Sequence, residues 1–424
     1  MLNTFFTKLK HVFADKALRK RVLFVFFALA IFRALASIPI PGVNELALRN
    51  FVEGNNFIGL LNIFSGGGLK NLSIVLLGVG PFITASIIMQ LLTVVSPKLK
   101  KLYQEEGEAG RAQFIQYSRY LTVPLSMLQA FGFLTLLTKQ GIVAPQDLFG
   151  TVVNIAVITA GAMLLMWLGE LTTEFGVGNG VSIIIFAGIV SRLPSAFNEI
   201  VLNFNQNDLP VYLLLTATAV VVTALVVFIT EAERPIPITY SKQARLGKAA
   251  GQVQTYLPIR INQAGVMPII FAISILLFPQ MIAQYLKAAN VAWATSIYDN
   301  INAVISNPYL YAPIYFVLVV VFTFFYTAIT FEPKTVAENL QKSGAFVPGI
   351  RPGRETMEYL ANIVTRITLA GAVFLGFIAI LPVIIQHASG ISTFAVGGTA
   401  LLIAVSVVLD VIKKIEAQLS VREY

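Results

Sequence analysis

Side chains able to do chemistry are scarce inside the apolar runs of this sequence. Few charged side chains fall inside those runs; Arg33, Glu170, Arg366 and Asp410 do, and the two carboxylates among them lie close to an end. An ion-coupled carrier places a carboxylate near the bilayer midplane, where an unpaired charge costs several kcal/mol. None stands there. Neither an HExxH pattern nor a Ser/Lys arrangement of the kind an intramembrane protease uses is present. The two histidines, His11 and His387, are far apart, and the chain has no cysteine. Disulfides and thiolate metal sites are therefore excluded. We expect no catalytic residue, no cofactor and no metal.

What the apolar runs hold instead is neutral polarity. Thr84, Ser86 and Gln90 lie in one run, Gln129 in the next, and Asn262 opens a later one. Ser86 and Gln90 are four apart, hence on one helix face. Two readings stay open. Such groups pack helices together through hydrogen bonds, or they form a seam that parts, since one such bond in lipid is worth only about 0.6 kcal/mol.

The elements that must position these groups are membrane helices. Of the 424 residues 56% are hydrophobic and 12% charged, with mean hydropathy +0.77. A soluble domain carries about 25% charged residues. Runs long enough to span a bilayer, about 20 residues, are read at Val22–Ile40, Leu72–Val95, Tyr117–Thr138, Thr151–Thr172, Val181–Leu193, Pro210–Thr230, Gln263–Leu286, Leu310–Phe331, Ala361–Ile385 and Phe394–Ile412. The first is read as a retained helix rather than a signal peptide, because it carries Arg33 and lacks a small-residue cleavage pattern. Ten crossings divide into halves of five, residues 1–195 and 196–424, and an odd number per half inverts the second half. That geometry suits an inverted-repeat transporter or a channel. Most of the 30 Lys and Arg residues fall in the N-terminal arm, after the second, sixth and eighth runs, and at the C-terminus. By the positive-inside rule both termini are cytoplasmic.

Three stretches depart from plain helices. Ser65-Gly66-Gly67-Gly68 interrupts an apolar region, and Gly78-Val79-Gly80-Pro81 bends its continuation. Broken backbone at membrane depth survives only inside protein or beside a water-filled cavity, so residues 62–69 form either a re-entrant segment or an ordinary external loop. The loop 231–262 alternates apolar and polar residues through Ile236, Ile238 and Tyr240, as a hairpin strand does. The loop 332–358 carries Phe346-Val347-Pro348-Gly349-Ile350-Arg351-Pro352-Gly353, a density of Pro and Gly that specifies a shaped turn. Both loops are expected to project as rigid features.

Several long runs resemble the SecY family, pore subunits of bacterial protein-translocation channels. They are Asn62-Ile63-Phe64-Ser65-Gly66-Gly67, then Gly80-Pro81-Phe82-Ile83-Thr84-Ala85-Ser86-Ile87-Ile88-Met89-Gln90-Leu91-Leu92, Met166-Trp167-Leu168-Gly169-Glu170, Gly178-Asn179-Gly180-Val181-Ser182-Ile183, and Ser343-Gly344-Ala345 leading into the Pro/Gly turn. The likeness runs from about Arg19 to Asp410.

The resemblance implies an all-α polytopic membrane protein of the bacterial cytoplasmic membrane. Its ten helices would form two inverted halves around an hourglass pore, closed by a re-entrant plug half-helix over residues 57–69. Asn62, Phe64, Ser65, Gly66 and Gly67 would belong to the plug. An aliphatic pore ring falls on Val79, Ile83, Val181, Ile185, Ile270 and Ile403; its two valines make it slightly wider than an isoleucine ring. Ser86, Gln90, Gln129 and Asn262 map onto a lateral gate through which apolar segments reach lipid. The long loops would dock SecA and the ribosome through Arg234, Lys242, Arg245, Lys248 and Arg351, although Lys242-Gln243 departs from the adjacent basic pair common in the family. SecE and SecG are the implied membrane partners, with preprotein signal sequences as clients, lipids around them, and no direct DNA binding. The expected activity is translocation of unfolded preproteins, driven by SecA or the ribosome. The alternative is an inverted-repeat secondary transporter of a small solute.

Overall fold

The computed structural model describes residues 14–41, 72–104, 106–191, 209–240, 255–288, 292–389 and 397–420, with 194 and 198 as isolated positions. Every expected apolar run holds a helix. In chain order these are α1 (Lys16–Ala36), α2 (Gly80–Val95), α3 (Pro97–Gln104), α4 (Gly107–Lys139), α5 (Leu148–Phe175), α6 (Gly180–Val190), α7 (Leu209–Glu231), α8 (Met267–Ala288), α9 (Ala292–Ser306), α10 (Pro308–Thr330), α11 (Pro333–Lys342), α12 (Arg354–Ser389) and α13 (Gly397–Ser420). Among the described residues, Gly107–Lys139, Leu148–Phe175, Pro308–Lys342 and Arg354–Leu381 are long and apolar enough to cross a membrane. Helices α2 and α3 count as a further crossing if taken together, but they bend by 113° at Ser96. Ser96 precedes Pro97 and takes the extended backbone that a following proline favours.

The chain divides into two compact units. One comprises Met1–Asp208, Ser274–Val304 and Val407–Tyr424; the other comprises Leu209–Ile273 and Ile305–Ser406.

In the first unit the structure corrects the second run. Helix was expected from Leu72, but α2 begins only at Gly80, and residues 72–79 form consecutive turns. The local reason lies in the sequence. Gly78 takes φ +58°, and Pro81, which has no amide hydrogen to donate, sits in the first turn. The turns are held by α1's exit strand: Ile40 N–H donates to the Leu72 carbonyl at 2.8 Å, and Ile74 N–H to the Ile38 carbonyl at 3.0 Å. Helix α5 lies directly on them, because Gly161 presents no side chain where the Ile74 carbonyl comes close. Helix α4 packs against α2, α3 and α5, and α5 against α1 and α6.

The join between α5 and α6 uses the glycines of the motif 166–180. Gly178 adopts φ +92°. Asn179 caps α6, its side-chain oxygen accepting from Ser182 N–H at 3.2 Å. Gly180 N–H donates to Thr173 Oγ1 at 2.8 Å, and the Gly169 carbonyl occupies the space a side chain at 180 would need.

In the second unit the alternating loop forms strand β1 (Glu233–Tyr240), paired antiparallel with β2 (Thr255–Arg260) and with β3 (Ala345–Phe346), in the order β2-β1-β3. The hairpin expectation holds, with Ile236 and Ile238 buried on one face and Glu233, Pro235 and Pro237 exposed on the other. Pro235 lies opposite Pro258. Neither has an amide hydrogen, so this pair takes a non-hydrogen-bonded ladder position. The helix α9 was not expected from sequence.

Replacing Gly161 by Ala should force α5 off the 72–79 turns and lower stability by roughly 1–3 kcal/mol, the usual cost of overpacking. Thermal unfolding of the purified protein in detergent measures this. An unchanged midpoint would mean that the close approach is not maintained in the membrane protein.

Candidate functional site

The neutral polar residues fall into two physically distinct sets. In the first set the side chain is satisfied along its own helix. Thr84 Oγ1 donates to the Gly80 carbonyl at 3.0 Å, Thr122 to Ser118 at 2.7 Å, and Ser126 to Val123 at 2.8 Å. Ser118, Thr122, Ser126 and Gln129 are all buried and line one face of α4. Small hydroxyls bonded to their own backbone let helices approach closely without needing a partner across the interface.

In the second set a buried oxygen has no partner among the described residues. Gln90 Oε1 on α2 and Asn262 Oδ1, just before α8, are both orphaned, as is Oε1 of the adjacent Gln263. Asn262 is held tightly: Ile261 N–H donates to the Ala232 carbonyl at 3.0 Å, and Gly371 of α12 leaves room for the Ile261 carbonyl. A buried polar atom without a hydrogen bond costs about 1–3 kcal/mol. Ser86 is half-buried on α2.

The aliphatic candidates sit at helix starts and in cores. Val79, the N-cap of α2, and Ile83 are buried one turn apart. Ile185 is buried on α6, and Val181 is half-buried with its Cγ2 against Gly169 of α5. Ile270 on α8 and Ile403 on α13 are buried in their own surroundings. Asn62, Phe64, Ser65, Gly66 and Gly67 lie outside the described residues, as do Lys242, Arg245 and Lys248.

The two long loops share one hydrophobic core. Ile236 of β1, Ile259 of β2 and Val347 after β3 are buried with Leu360, Ile363 and Val364 of α12, and Leu257, Phe331, Leu340 and Ile350 pack around them. The Pro/Gly run turns as expected: Ile350 N–H donates to the Val347 carbonyl at 3.1 Å, with Gly349 at φ +82° and Gly353 at φ +104°. Arg351 stands at the crest. Its backbone is tied down by Thr356 Oγ1 donating to its carbonyl at 2.8 Å, while its side chain is 88% exposed and reaches Glu355 only at 4.0 Å. Arg234 is exposed on β1.

Sequence reasoning missed the ion pair that joins α4 and α5. Arg119 Nε meets Glu170 Oε1 at 2.7 Å. Glu170 had been singled out as an intramembrane charge, but the partner lies 51 residues away, and no short-range signal links them. Of the other intramembrane charges, Asp410 pairs with Lys414 at 2.9 Å one helical turn on.

Comparison with known proteins gives a consistent result. The SecY family model matches residues 73–412. The protein translocase subunit SecY of Mycobacterium tuberculosis H37Rv is 40% identical over 444 aligned positions, covering 100% of this chain and 99% of the relative. That of Streptomyces lividans is 42% identical over 431 positions, covering 97% of each. A solved structure of a protein conducting channel superposes with TM-score 0.65 at 18% identity, covering 94% of this chain and 92% of the other. Canine Sec61 in a ribosome–channel complex from the endoplasmic reticulum superposes with TM-score 0.62 at 18% identity and the same coverage. At that identity the structures speak for the fold alone.

The shared core makes a specific prediction. Leu360→Ala should cost about 2–5 kcal/mol, the range for a buried leucine, and should loosen β1, β2 and the 346–353 turn together. Amide exchange followed by mass spectrometry tests this; exchange that rises in only one of the loops would mean that they do not share a core.

Proposed function

The chain belongs to the SecY family, and from that premise we propose how it acts. It is a membrane-embedded protein-conducting channel. Full-length identity to relatives named as translocase subunits carries this reading. A small-solute transporter, the alternative that topology leaves, has no observation in its favour.

The finer reading is as follows. The chain resides in the bacterial cytoplasmic membrane as ten crossings in two inverted halves, 1–195 and 196–424, with both termini cytoplasmic. Basic clusters on alternate loops support that orientation. Val79, Ile83, Val181, Ile185, Ile270 and Ile403 form the ring that seals the channel at rest, with residues 57–69 as plug. Hydrophobic constrictions close by expelling water, and burial of five of the six aliphatic side chains is consistent with such a role. Ser86, Gln90, Gln129 and Asn262 line the lateral gate through which signal sequences reach lipid.

The chain performs no catalysis of its own. Energy comes from SecA or the ribosome, docked on the sheet-and-turn platform through Arg351 and Arg234, and through Lys242, Arg245 and Lys248. SecE and SecG complete the membrane complex. An exposed cation, only loosely paired with Glu355, on a backbone fixed by Pro, Gly and Thr356 suits reversible docking, because the side chain is presented without cost to the core.

Two measurements test this reading. Ile83→Ser combined with Ile185→Ser should let ions leak through the resting channel in planar bilayers, giving conductance above the parent without any substrate. A purified, folded double variant as silent as the parent would remove these residues from the constriction. Arg351→Glu should leave thermal stability within about 0.5 kcal/mol, as for an exposed site, yet reduce SecA-driven preprotein transport in proteoliposomes at least severalfold. Normal transport with normal SecA affinity would dismiss the docking role.

A further inference from the structure

The cytoplasmic half of α4 packs through a stripe that does not dictate register. Gly110, Phe114, Ser118, Thr122 and Ser126 are buried, each four residues after the last. The three hydroxyls are spent on α4's own carbonyls: Ser118 Oγ donates to Phe114 at 3.2 Å, Thr122 to Ser118 and Ser126 to Val123. Small groups satisfied in this way let helices come close. Moving such a stripe by one turn presents much the same surface to a neighbour.

The bond between Arg119 and Glu170 does cross to another helix. Arg119 Nε donates to Glu170 Oε1 at 2.7 Å, the short distance of a charge-assisted contact. The Glu170 side chain is only 20% exposed, so water screens the pair in part. Glu170 lies in the turn of α5 that seats the start of α6. Gly169 beside it leaves space for Gly180 and the Val181 side chain, and Thr173, one turn on, accepts from Gly180 N–H. Arg119 adjoins Ser118 of the α4 stripe, and Gln129 is buried farther along the same helix. The pair therefore links the helix that carries Gln129 to the turn that places Val181. Orientation by positive charge needs Arg119 on the cytoplasmic side, but it has no use for a carboxylate 51 residues away.

We propose that Arg119 and Glu170 are positioning residues of the channel: their ion pair fixes the register of α4 on α5, so that the gate face of α4 moves together with the turn that holds Val181. The consequence for transport rests on the gate and ring proposed above; the register does not. With the pair cut, α4 slides on its hydroxyl stripe and the gate parts for weaker signal sequences, while α6 stays seated on Gly169 and Thr173.

The chain has no cysteine, so Leu128→Cys on α4 and Leu164→Cys on α5, both at exposed positions, take spin labels without background. Pulsed electron–electron distance measurements on the purified complex in nanodiscs should give one narrow distribution for this labelled parent. Glu170→Gln and Arg119→Gln, which remove a charge at little change in bulk, should each broaden or shift it. The exchange Arg119→Glu/Glu170→Arg should bring back the parent distribution, as the loss of either side chain's packing would not. In proteoliposomes the single variants should raise transport of a preprotein with a defective signal sequence severalfold relative to one with an intact signal, and the exchange should return that ratio to the parent's. Resting conductance in planar bilayers should stay at the parent's level. An unchanged distribution in both folded single variants, or a folded exchange variant that stays as broad as they are, would overturn the proposal. So would a leak at rest, which would place the damage at the join of α5 and α6. A broadened distribution with an unchanged transport ratio would uphold the register role and remove α4 from the gate.

Discussion

A peptide group inside a bilayer has no water to turn to, and leaving one unpaired costs several kcal/mol. Much of the first unit follows from that constraint. Among the described residues, the chain leaves helix beside apolar helices at residues 72–79 and 176–179. The first break is satisfied by the strand leaving α1, through the pairing of Ile38–Ile40 with Leu72–Ile74. At the second, Thr173 and Asn179 supply side-chain oxygens to the amides of Gly180 and Ser182. Those partners work only if the neighbouring helix comes close enough to exclude everything else. Gly161 therefore lies on the face of α5 that meets the first break, and Gly169 on the face that meets the start of α6 just after the second. The glycines are a consequence of the broken backbone rather than an independent feature.

The same argument explains what could be read from sequence. Helices were legible because lipid imposes a long apolar run, and every expected run contains one. The strand β1 was legible because one face is buried and the other solvated, which writes period two into Ile236, Ile238 and their exposed neighbours. The start of α2 was misplaced by hydropathy, since Leu72, Val75, Leu76 and Val79 are buried apolar residues whether helical or not. Only Gly78 and Pro81 mark the true boundary. Non-local pairings left no trace. The sheet joins residues 239–240 to 345–346, and Arg119 finds Glu170 across two helices. The helix α9 escaped because its apolar positions are spaced among Ser, Thr, Asn and Asp, too diluted for a hydropathy reading. As for the candidate site, the residue types were legible, but the division into satisfied and orphaned polar groups was not. It depends on whether a side chain finds a backbone oxygen on its own helix, as Thr84, Thr122 and Ser126 do, whereas the carbonyls of Gln90 and Asn262 find no donor among the described residues.

That division bears on how a gate would be held. Hydroxyls bonded to their own backbone are indifferent to which neighbour faces them, so Thr84, Thr122 and Ser126 set spacing without favouring one state. The carbonyls of Gln90 and Asn262 would favour one, because each is buried without a donor among the described residues. The conformation described bears that cost, and any conformation that brings a donor to either oxygen, whether water or a peptide amide, relieves it. Replacing either amide by leucine would remove a penalty from the present conformation rather than a bond. On sequence alone these residues look like a clasp that holds a seam shut. Burial without a donor among the described residues argues for the opposite sign: at a gate, these groups would disfavour the present conformation relative to one in which something else supplies the hydrogen bond. A passing segment with its own backbone donors has that chemistry, and a lipid tail does not.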